Sequence, residues 1–381
     1  MKIGFNYTST IGVGGNSTYA RELIYNLSKV DKENQYFLYY YLHDFLLGRI
    51  PREAKNKNFR SVPILVSQLK FPIPSGIINF INKITIKIFS RINKIDIFHF
   101  SDPLIFVKGK YKSIVTLHDL SVLHDFDWAR KSTADFYNKN IKNILNKTSK
   151  IIAVSNFTKN DAIKTLHIDE GKITVIYEGV NDNFCPDLDK NYLKEKFDLE
   201  DYILYVGSLG PRKNIIGLLN AYSGLSIELR KKYNLILIGT PRDIIFLDEL
   251  NQTIKELKID DQVKRFSEIT NNDLPKIYSG TKFFIYPSFF EGFGLPILES
   301  LSCGVPVITS NTSSLPEVTG SAGILVNPEN VGEIKSAMER MLLDDGFYRG
   351  VKDKCLNQAN KFKWQKTAKE TLAVYEDIYK N

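Results

Sequence analysis

The chain alternates short apolar segments with longer amphipathic ones. The apolar segments of the first half are KIGFNY, YFLYYYL, IDIFHF, SIVTLHDL and KIIAVS, and amphipathic stretches such as ARELIYNLSKV lie between them. This alternation is typical of parallel strands, because a parallel pair needs a crossover connection that is usually a helix. It therefore predicts an α/β fold with parallel sheets.

A second series of the same kind begins after Cys185 and Pro186, with YILYVGSL, NLILIGT, FFIYPSFF, PVITSN and GILVN. A length of 381 residues also exceeds what one ordinary core organises. The polar segment EGVNDNFCPDLD between the two series is the candidate linker. We therefore predict two facing Rossmann-like domains, 1–180 and 181–361, with ligand crevices beyond the carboxyl ends of their strands.

The charge of the chain is unevenly distributed. Residues 1–180 hold 26 Lys and Arg against 15 Asp and Glu, or +11, whereas residues 181–381 hold 25 against 28, or −3. A basic half can bind an anionic partner such as nucleic acid or lipid head groups, or its lysines can simply be solvated. The sequence lacks the interleaved aromatic and basic residues of nucleic-acid binders, so no nucleic-acid partner is predicted.

Cysteine spacing and hydropathy indicate the compartment. Cys185, Cys303 and Cys355 lie far apart, which argues against a disulfide framework and against a metal site with short ligand spacing. The N-terminus lacks a basic region followed by an apolar signal core, and no window reaches the about 18 to 20 apolar residues of a membrane span. A cytoplasmic protein is the expectation.

The segment FFIYPSFFEGFGLPILESL carries the most specific chemical pattern. An apolar strand ends at Tyr286, Gly292 and Gly294 flank Phe293, and Pro296 stands where a helix should begin. Proline suits the first helical turn because its missing N–H would be unpaired there. A helix start preceded by glycines offers N–H groups and a positive dipole end to a phosphate. The segment therefore predicts a binding site for the diphosphate of an activated sugar.

Two glutamates belong to the same segment. Glu291 precedes the turn, and Glu299 falls in the first turns of the predicted helix. Glu291 alone could be a solvated loop residue, and Glu299 alone could only complement the helix dipole. Combined with two glycines, a proline and a strand on each side, the pair predicts contacts to the sugar and to a ribose.

The segment YVGSLGPRKNIIGLL places Arg212 and Lys213 between a strand and a helix. Two cations at the carboxyl end of a strand could neutralise a leaving diphosphate, since guanidinium forks onto phosphate oxygens and ammonium acts as a point charge. Two exposed bases beside a turn are an equally good explanation of this segment alone.

The segment IGVGGNSTYARELIYNL has Gly12, Gly14 and Gly15 before a helix whose expected cap is Asn16 or Ser17. It lacks the spacing of a dinucleotide fingerprint. It is either a plain turn into a helix or a floor for the donor phosphates or the acceptor.

His118 follows the apolar segment SIVTL and so belongs at the carboxyl edge of a sheet. Its imidazole could hydrogen-bond a sugar hydroxyl or help to move a proton. A capping or packing histidine is the alternative.

Residues 76–94 predict an amphipathic basic helix. Asn79, Lys83, Lys87 and Arg91 recur every four residues, beside an apolar stripe that consists of Ile77, Ile81, Ile84, Ile88 and Ile92. We expect the stripe to be buried in the first domain and the basic ridge to be solvated. The alternative is a surface that rests on anionic lipid.

Taken in order, these segments resemble the family 4 retaining glycosyltransferases, and in particular bacterial mannosyltransferases of surface polysaccharide and lipopolysaccharide assembly. The match covers most of the chain, through GGNSTYARELI, TLHDL, VSNFTKNDAIK, VIYEGV, GSLGPRKN and EGFGLPILESLSCGVPVITS. The resemblance implies the GT-B architecture. It implies an acceptor-binding domain at 1–180, a donor-binding domain at 181–361, and a C-terminal helix at 362–381 that packs back on the first domain.

The resemblance also implies roles for individual residues. Glu299 is expected on the nucleotide ribose, and Glu291 near the donor sugar. The residues expected to be catalytic are His118, Glu291, Lys213 and Arg212. The donor-binding set is Gly14, Gly15, Gly207, Ser208, Arg212, Lys213, Glu291, Gly292, Phe293, Gly294, Leu295 and Glu299. Many family members carry Arg where this chain has Ser208, so Arg212 is expected to supply that cation.

The implied reaction moves a hexose from a nucleoside diphosphate sugar, with retention and without metal or other cofactor. GDP-mannose is the first candidate donor and a UDP-hexose the second. The expected acceptor is a glycan or a lipid-linked saccharide, which would place the protein in the cytoplasm or on the inner face of the cytoplasmic membrane, with an anionic membrane surface as a further partner. The alternatives are a GT-B relative of other chemistry, such as a nucleotide-sugar epimerase or a phosphorylase, and a non-catalytic binding protein.

Overall fold

A computed structural model describes residues 1–8, 14–48, 51–66, 75–124, 128, 131–267 and 269–380. The chain forms two compact units. Unit 1 comprises Met1–Glu178 and the residues from Trp364 onward, and unit 2 comprises Gly179–Lys363. Each unit contains one parallel β-sheet.

Unit 1 has seven strands in the part of the chain that the structure describes. They are β1 (Lys2–Asn6), β2 (Gln35–Tyr41), β3 (Phe59–Leu65), β4 (Ile97–Phe100), β5 (Lys112–Leu117), β6 (Lys150–Ala153) and β7 (Ile173–Val175). The helices between them are α1 (Gly15–Val30), α2 (Leu42–Leu46), α3 (Ser75–Ile92), α4 (Ser121–His124), α5 (Lys131–Lys147) and α6 (Asn156–Leu166). The strand order is β3-β2-β1-β4-β5-β6-β7, so the direction of winding reverses between β1 and β4.

Unit 2 repeats this plan with six strands among its described residues. They are β8 (Tyr202–Val206), β9 (Asn234–Ile238), β10 (Val263–Phe266), β11 (Phe284–Tyr286), β12 (Val307–Ser310) and β13 (Gly323–Val326). The helices are α7 (Lys190–Phe197), α8 (Ile215–Ser223), α9 (Ile227–Lys232), α10 (Ile244–Glu256), α11 (Leu274–Gly280), α12 (Leu295–Ser302), α13 (Leu315–Thr319), α14 (Val331–Leu343), α15 (Asp345–Lys352) and α16 (Cys355–Ala359). The order β10-β9-β8-β11-β12-β13 reverses between β8 and β11.

The strands are apolar because both faces of each sheet are covered. All four residues of β4 and of β12 are buried, as are Ile3 and Phe5 of β1. A parallel sheet flanked by helices on both faces requires such near-continuous apolar runs. Two parallel-sheet Rossmann-like domains therefore confirm the fold class predicted from the alternation.

The last helix, α17 (Trp364–Lys380), belongs to unit 1. The Thr367 hydroxyl donates to the carbonyl of Tyr177 at 2.7 Å, and the Tyr375 hydroxyl lies 2.6 Å from His99 Nδ1. The Trp364 indole meets the Tyr19 ring edge to face. The C-terminal helix thus packs on the first domain, as the resemblance implied.

The start of α1 differs from the expected one. Gly14, with φ of 137°, is the capping residue, and its carbonyl accepts from the N–H groups of Ser17 and Thr18. Asn16 and Ser17, the predicted caps, lie inside the helix, because glycine alone adopts this backbone conformation without strain. The third glycine of the cluster, Gly12, lies outside the described residues.

The α3 helix corrects the expectation for its apolar stripe. The predicted helix is present, but all five stripe isoleucines are exposed, by 37% to 65% of their surface. The opposite face is the buried one: Ile78 and Ile86 lie in the interior, and Asn82 is held by Val66. Helical spacing identified two faces correctly but could not say which of them the sheet covers.

No helix among the described residues is long and apolar enough to cross a membrane. All three cysteines are free thiols; Cys185 is exposed, whereas Cys303 and Cys355 are buried.

Candidate functional site

The site in unit 2 is formed by the loops that follow β8 and β11, the two neighbouring strands at which the winding reverses. Ligands of open parallel sheets bind at such a point, because the two loops diverge and leave a crevice. Here the loops are hydrogen-bonded to each other: Phe289 N donates to the carbonyl of Arg212 at 2.9 Å, and the Ser288 hydroxyl oxygen lies 3.0 Å from the same carbonyl oxygen. The predicted cations and the predicted glutamate are brought together in this way.

The centre of this site is a buried cluster of two cations and one carboxylate. Lys213 Nζ donates to Glu291 Oε1, and Arg212 Nη1 lies 3.2 Å from Glu291 Oε2. Lys213 is only 7% exposed and Glu291 only 8%. Burial of a charge is costly unless an opposite charge is paired with it. Removal of either Lys213 or Glu291 would therefore leave a buried charge without that partner.

Neighbouring hydroxyl groups complete the cluster. The Ser288 hydroxyl donates to Glu291 Oε1 at 2.6 Å, and Lys213 Nζ donates to the Tyr286 hydroxyl at 2.6 Å. Burial alone would raise the pKa of Glu291, but Arg212, Lys213 and the hydrogen bonds outweigh it and lower that pKa to about 2. Glu291 is therefore a carboxylate at every physiological pH.

The helix start predicted from the glycines and the proline is present in α12. Gly294 is its capping residue, with φ of 118°, and a side chain there would also crowd Leu315. Pro296 occupies the second helical position. The preceding residues Gly292 and Phe293 are buried beside the cluster of Arg212, Lys213 and Glu291, and Leu295 begins the helix.

The backbone of this turn is fixed from a neighbouring loop. The Ser314 hydroxyl donates to the carbonyl of Glu291 at 2.9 Å and to that of Phe293 at 2.8 Å. The Ser313 hydroxyl accepts from the N–H of Glu291 at 3.1 Å. Rigid support of this kind holds backbone groups in place for a ligand.

Glu299 lies one turn further along α12 and does not join the Lys213 cluster. It is half-buried, and one of its oxygens accepts from the Tyr278 hydroxyl at 3.0 Å. Burial raises its pKa to about 7, although the bond from Tyr278 opposes that change. The two glutamates thus have opposite electrostatic environments. Glu291 is paired with cations, which lower its pKa, whereas burial raises the pKa of Glu299 to about 7.

Gly207 and Ser208 lie directly after β8, at the same sheet edge. Gly207 has φ of 154°, and a methyl group there would press against the rings of Tyr205 and Tyr286. Ser208 is exposed, and its carbonyl accepts from the Tyr205 hydroxyl at 3.0 Å.

In unit 1 the predicted residues lie at the ends of β1 and β5. Gly14 and Gly15 are exposed, and a methyl group added to either would meet no atom within 4 Å. Next to them, Asn16 Nδ2 donates to Asp102 Oδ2 at 3.1 Å, which joins the first turn of α1 to the loop after β4. The glycine turn is thus open on its outer side.

His118 is engaged through both ring nitrogens. Nδ1 lies 3.2 Å from Glu178 Oε1, and Nε2 lies 3.1 Å from the carbonyl oxygen of Ser101. Both partners are acceptors, so both bonds form only when the imidazole carries two protons. Burial would lower the pKa of His118, but Glu178 outweighs it and the pKa is raised. Both partners favour the protonated form of the imidazole.

Several residues of these clusters were not singled out from the sequence. They are Tyr286, Ser288, Ser313 and Ser314 in unit 2 and Glu178 and Asp102 in unit 1. Ser288 lies only three residues before Glu291, so the sequence alone indicates that the two side chains are close. Glu178 lies in the predicted linker, 60 residues from His118, and no local pattern connects the two.

A divalent metal site is not indicated by the described residues, among which no group of three or more His, Cys, Asp and Glu side chains could hold an ion. The Asp-x-Asp spacing occurs at 125–127, outside the described residues, and at 187–189. In the second, Asp187 is paired with Lys276 at 2.8 Å and Asp189 caps α7.

Two Rossmann-like units with parallel sheets give the protein a GT-B architecture. The likeness to solved structures agrees: sucrose-phosphate synthase from Thermosynechococcus elongatus superposes with a TM-score of 0.80 over 99% of both chains, at 20% identity. Residues 13–184 match the family model "Glycosyltransferase Family 4", and residues 191–362 match "Glycosyl transferases group 1". The chain therefore belongs to the family 4 glycosyltransferases.

Curated relatives agree with this assignment. The O-antigen chain mannosyltransferase B of Escherichia coli is 33% identical over 271 residues, which are 70% of each chain. The O-antigen chain mannosyltransferase RfbU of Salmonella typhimurium is 29% identical over 227 residues, or 60% of each chain. The protein is accordingly a glycosyltransferase.

Proposed function

We propose that the protein is a retaining mannosyltransferase that moves mannose from GDP-mannose to a hydroxyl group of a lipid-linked saccharide during cell-surface polysaccharide synthesis. Its relatives named as O-antigen mannosyltransferases support mannose as the sugar. A UDP-hexose is the second candidate donor, and a free glycan the second candidate acceptor. The observation that carries the proposal is the buried cluster of Arg212, Lys213 and Glu291 beside the start of α12.

The cluster would keep Arg212 and Lys213 paired with an anion both before and after a donor diphosphate binds. Before binding, Glu291 is paired with both Arg212 and Lys213, which leaves the cluster with one net positive charge. A diphosphate at the start of α12 takes over Arg212 and Lys213, with added support from the helix dipole. Glu291 is then released to accept hydrogen bonds from hydroxyls of the donor sugar. The diphosphate thus takes the place of the Glu291 carboxylate beside the two cations. The cations are already largely removed from water, so their further desolvation costs little.

The chemical step breaks one bond at the anomeric carbon and forms another. The bond to the β-phosphate oxygen breaks, and a bond to the acceptor oxygen forms on the same face of the sugar. The acceptor proton passes to the departing phosphate, so no side chain is a covalent nucleophile. Arg212 and Lys213 stabilise the negative charge that develops on the leaving diphosphate.

The remaining predicted residues contact other parts of the donor. Glu299 accepts hydrogen bonds from the ribose hydroxyls, and Gly292, Phe293, Gly294 and Leu295 present backbone groups to sugar and phosphate. Gly207 and Ser208 line the same loop. Unit 1 would bind the acceptor, and the contacts expected from Gly14 and Gly15 to the diphosphate and from His118 to the donor sugar stay predictions.

Because Arg212, Lys213 and the helix dipole supply the positive charge, we expect transfer to need no divalent metal or other cofactor. Turnover by protein dialysed against EDTA should equal that of untreated protein. A loss of turnover that Mg²⁺ or Mn²⁺ restores would overturn this part of the proposal.

A panel of nucleotide sugars tests the donor. A true donor binds only the folded protein and should raise Tm in proportion to ln[ligand]. GDP-mannose should stabilise wild type more than UDP-glucose, UDP-galactose or GDP-glucose does, and Lys213→Ala should abolish the difference. A larger rise in Tm with a UDP-hexose would identify that nucleotide sugar as the donor instead of GDP-mannose. No shift with any of them would contradict the proposal.

Product analysis tests the reaction. Incubation with GDP-mannose and a saccharide acceptor should give an α-linked product, as NMR coupling at the anomeric carbon would show. Inversion would contradict the retaining mechanism. Conversion of the nucleotide sugar in the absence of any acceptor would instead identify an epimerase.

A further inference from the structure

The outward face of α3 is apolar although it lies on the surface. The apolar face, as we name it, consists of Ile77, Phe80, Ile81, Ile84, Ile88 and Ile92, which are 37% to 65% exposed. At 100° per residue these six positions fall within an arc of about 120°. This arc lies opposite Ile78 and Ile86, the buried anchors of the helix. A soluble helix would normally carry polar residues there.

A basic ridge borders the apolar face. Lys83, Lys87 and Arg91 are exposed along one side of it. No acidic residue occurs between positions 54 and 95, whereas eight basic residues do, so this stretch alone carries +8. The chain as a whole also carries +8. The net positive charge of the sequence is thus concentrated in the stretch that contains α3.

Helix α2 and the residue after it carry a second group of exposed apolar side chains. Leu42, Phe45, Leu46 and Leu47 are 42% to 73% exposed. Helix α2 follows directly after β2, and Asn82 of α3 binds Val66, directly after the neighbouring strand β3. Helix α2 and the turn of α3 around Asn82 therefore both lie near the carboxyl ends of adjacent strands in unit 1, and α3 then runs toward the start of β4.

We propose that this surface binds the head-group and upper acyl region of a bilayer containing anionic phospholipid. Isoleucine, leucine and phenylalanine side chains enter the boundary of the acyl chains, and the basic ridge binds the phosphate-bearing head groups. The inference supplies the surface for the membrane-bound acceptor of the proposed function, and in that respect rests on it.

Charge selects the bilayer among possible occupants. A second copy of this chain would bring two stretches of +8 together, which like-charge repulsion opposes. A nucleic acid would neutralise the ridge but leave the isoleucines in water. An anionic membrane satisfies both features at once, because its negative layer lies directly above an apolar one.

Vesicle flotation tests the proposal with the full-length protein, without donor or acceptor. Wild type should bind vesicles of phosphatidylcholine mixed with phosphatidylglycerol, and bind vesicles of phosphatidylcholine alone far more weakly. Added salt should weaken binding, because it screens the ridge. The triple variant K83Q/K87Q/R91Q should bind about a hundred-fold more weakly, since each basic residue near an anionic surface contributes about five-fold.

Matched controls separate the surface from general effects. K139Q/K142Q/K147Q removes three exposed lysines from α5 of the same unit and should bind nearly as wild type does. I84Q/I88Q should reduce binding at least ten-fold, whereas I244Q/I245Q, on an exposed part of α10, should not. Glutamine is a good helix former, so these variants should fold.

Equal binding to both kinds of vesicle, or unchanged binding by both α3 variants, would overturn the proposal. So would a wild-type dimer, measured by light scattering, that I84Q/I88Q converts to monomers without changing vesicle binding. Transfer to a water-soluble acceptor should be the same in the α3 variants and in wild type. If the wild type itself shows no transfer to a water-soluble acceptor, the result would instead count against the proposed function.

Discussion

The two sheets have the same strand order around their reversal points, yet the loops at these points differ in chemistry. In unit 2 the loops after β8 and β11 bury Lys213 and Glu291 as an ion pair. In unit 1 the first turn of α1 meets the loop after β4 through an exposed hydrogen bond from Asn16 to Asp102, beside an open glycine turn. One fold thus supports a charged, closed site and an uncharged, open turn.

The difference indicates a division of labour. A diphosphate needs fixed cations, and these lie only in unit 2 among the predicted site residues of the two reversal points. The open turn of unit 1 has room for a ligand to approach the backbone. We therefore expect substitutions at the unit 2 site to affect turnover most, and those at the unit 1 turn to affect it least.

The largest effect is expected for Lys213→Ala. Loss of a cation from the leaving diphosphate should lower kcat about a thousand-fold, as removal of a preorganised charge-stabilising group does. The control is Lys196→Ala, which removes a lysine paired with Asp273 in the same unit and should leave kcat within about two-fold. Equal losses in both variants would show that ion pairing, rather than phosphate binding, explains the effect.

Glu291→Gln should separate donor binding from transfer. The variant keeps the side-chain shape but no longer competes with the diphosphate for Arg212 and Lys213. We expect GDP to bind at least as tightly as to wild type in calorimetry, while kcat falls about a hundred-fold. Asp187→Asn, which breaks an exposed pair with Lys276, is the control and should change neither. Weaker GDP binding by Glu291→Gln would contradict the exchange of anions.

His118→Gln should remove a pH dependence of stability that belongs to unit 1. The pKa of His118 is raised by Glu178, so its stabilisation is complete below the unfolded-state pKa near 6.5 and is lost as pH rises through the folded-state pKa. At pH 6 the variant should lose about 2 kcal/mol of unfolding free energy, measured in urea, and less at higher pH. Glu178→Gln should behave alike, and the double variant should add little.

Glu299→Gln should change how donor affinity depends on pH. The pKa of Glu299 is raised to about 7, and ribose hydroxyls favour its carboxylate. Below pH 7 the wild type must release a proton to bind, so its affinity for GDP should fall by about ten-fold per pH unit as the pH is lowered. In Glu299→Gln this slope should disappear. A slope that survives the substitution would assign the titration to another group.

The smallest effect is expected for Gly15→Ala. The free protein has space for the methyl group, and alanine favours a helix, so Tm should stay the same or rise. KM for the donor should rise about three-fold, because the methyl group separates a phosphate from the backbone. An unchanged KM would show that this turn does not contact the donor and would sharpen the contrast between the two units.

Local patterns were sufficient wherever a structural choice is local. The start of α12 followed from Gly294 and Pro296, because a positive φ and a missing N–H restrict where these residues fit. The cap of α1 was placed two to three residues late, since Asn16 and Ser17 are also good capping residues. The sequence could not show that Gly14 takes that position and leaves Asn16 to bind Asp102.

Contacts between distant segments were beyond reach of the sequence pattern. Lys213 and Glu291 are 78 residues apart, and they meet because β11 pairs with β8 rather than with its neighbour in the chain, β10. His118 meets Glu178 across 60 residues because β5 and β7, the strands that precede them, flank β6 in the same parallel sheet. The lowered pKa of Glu291 depends on Arg212 and Lys213, and the raised pKa of Glu299 on burial, so neither value could be read from the residue type.

The sequence by itself determined the alternation of strands and helices, the two-domain plan, and the residue types available for binding a diphosphate. These follow from side-chain periodicity and backbone restrictions, which act over a few residues. Only the tertiary structure decided which face of α3 is covered and which charges are paired. The physical reason is that burial and pairing depend on partners that the order of strands in the sheet brings together.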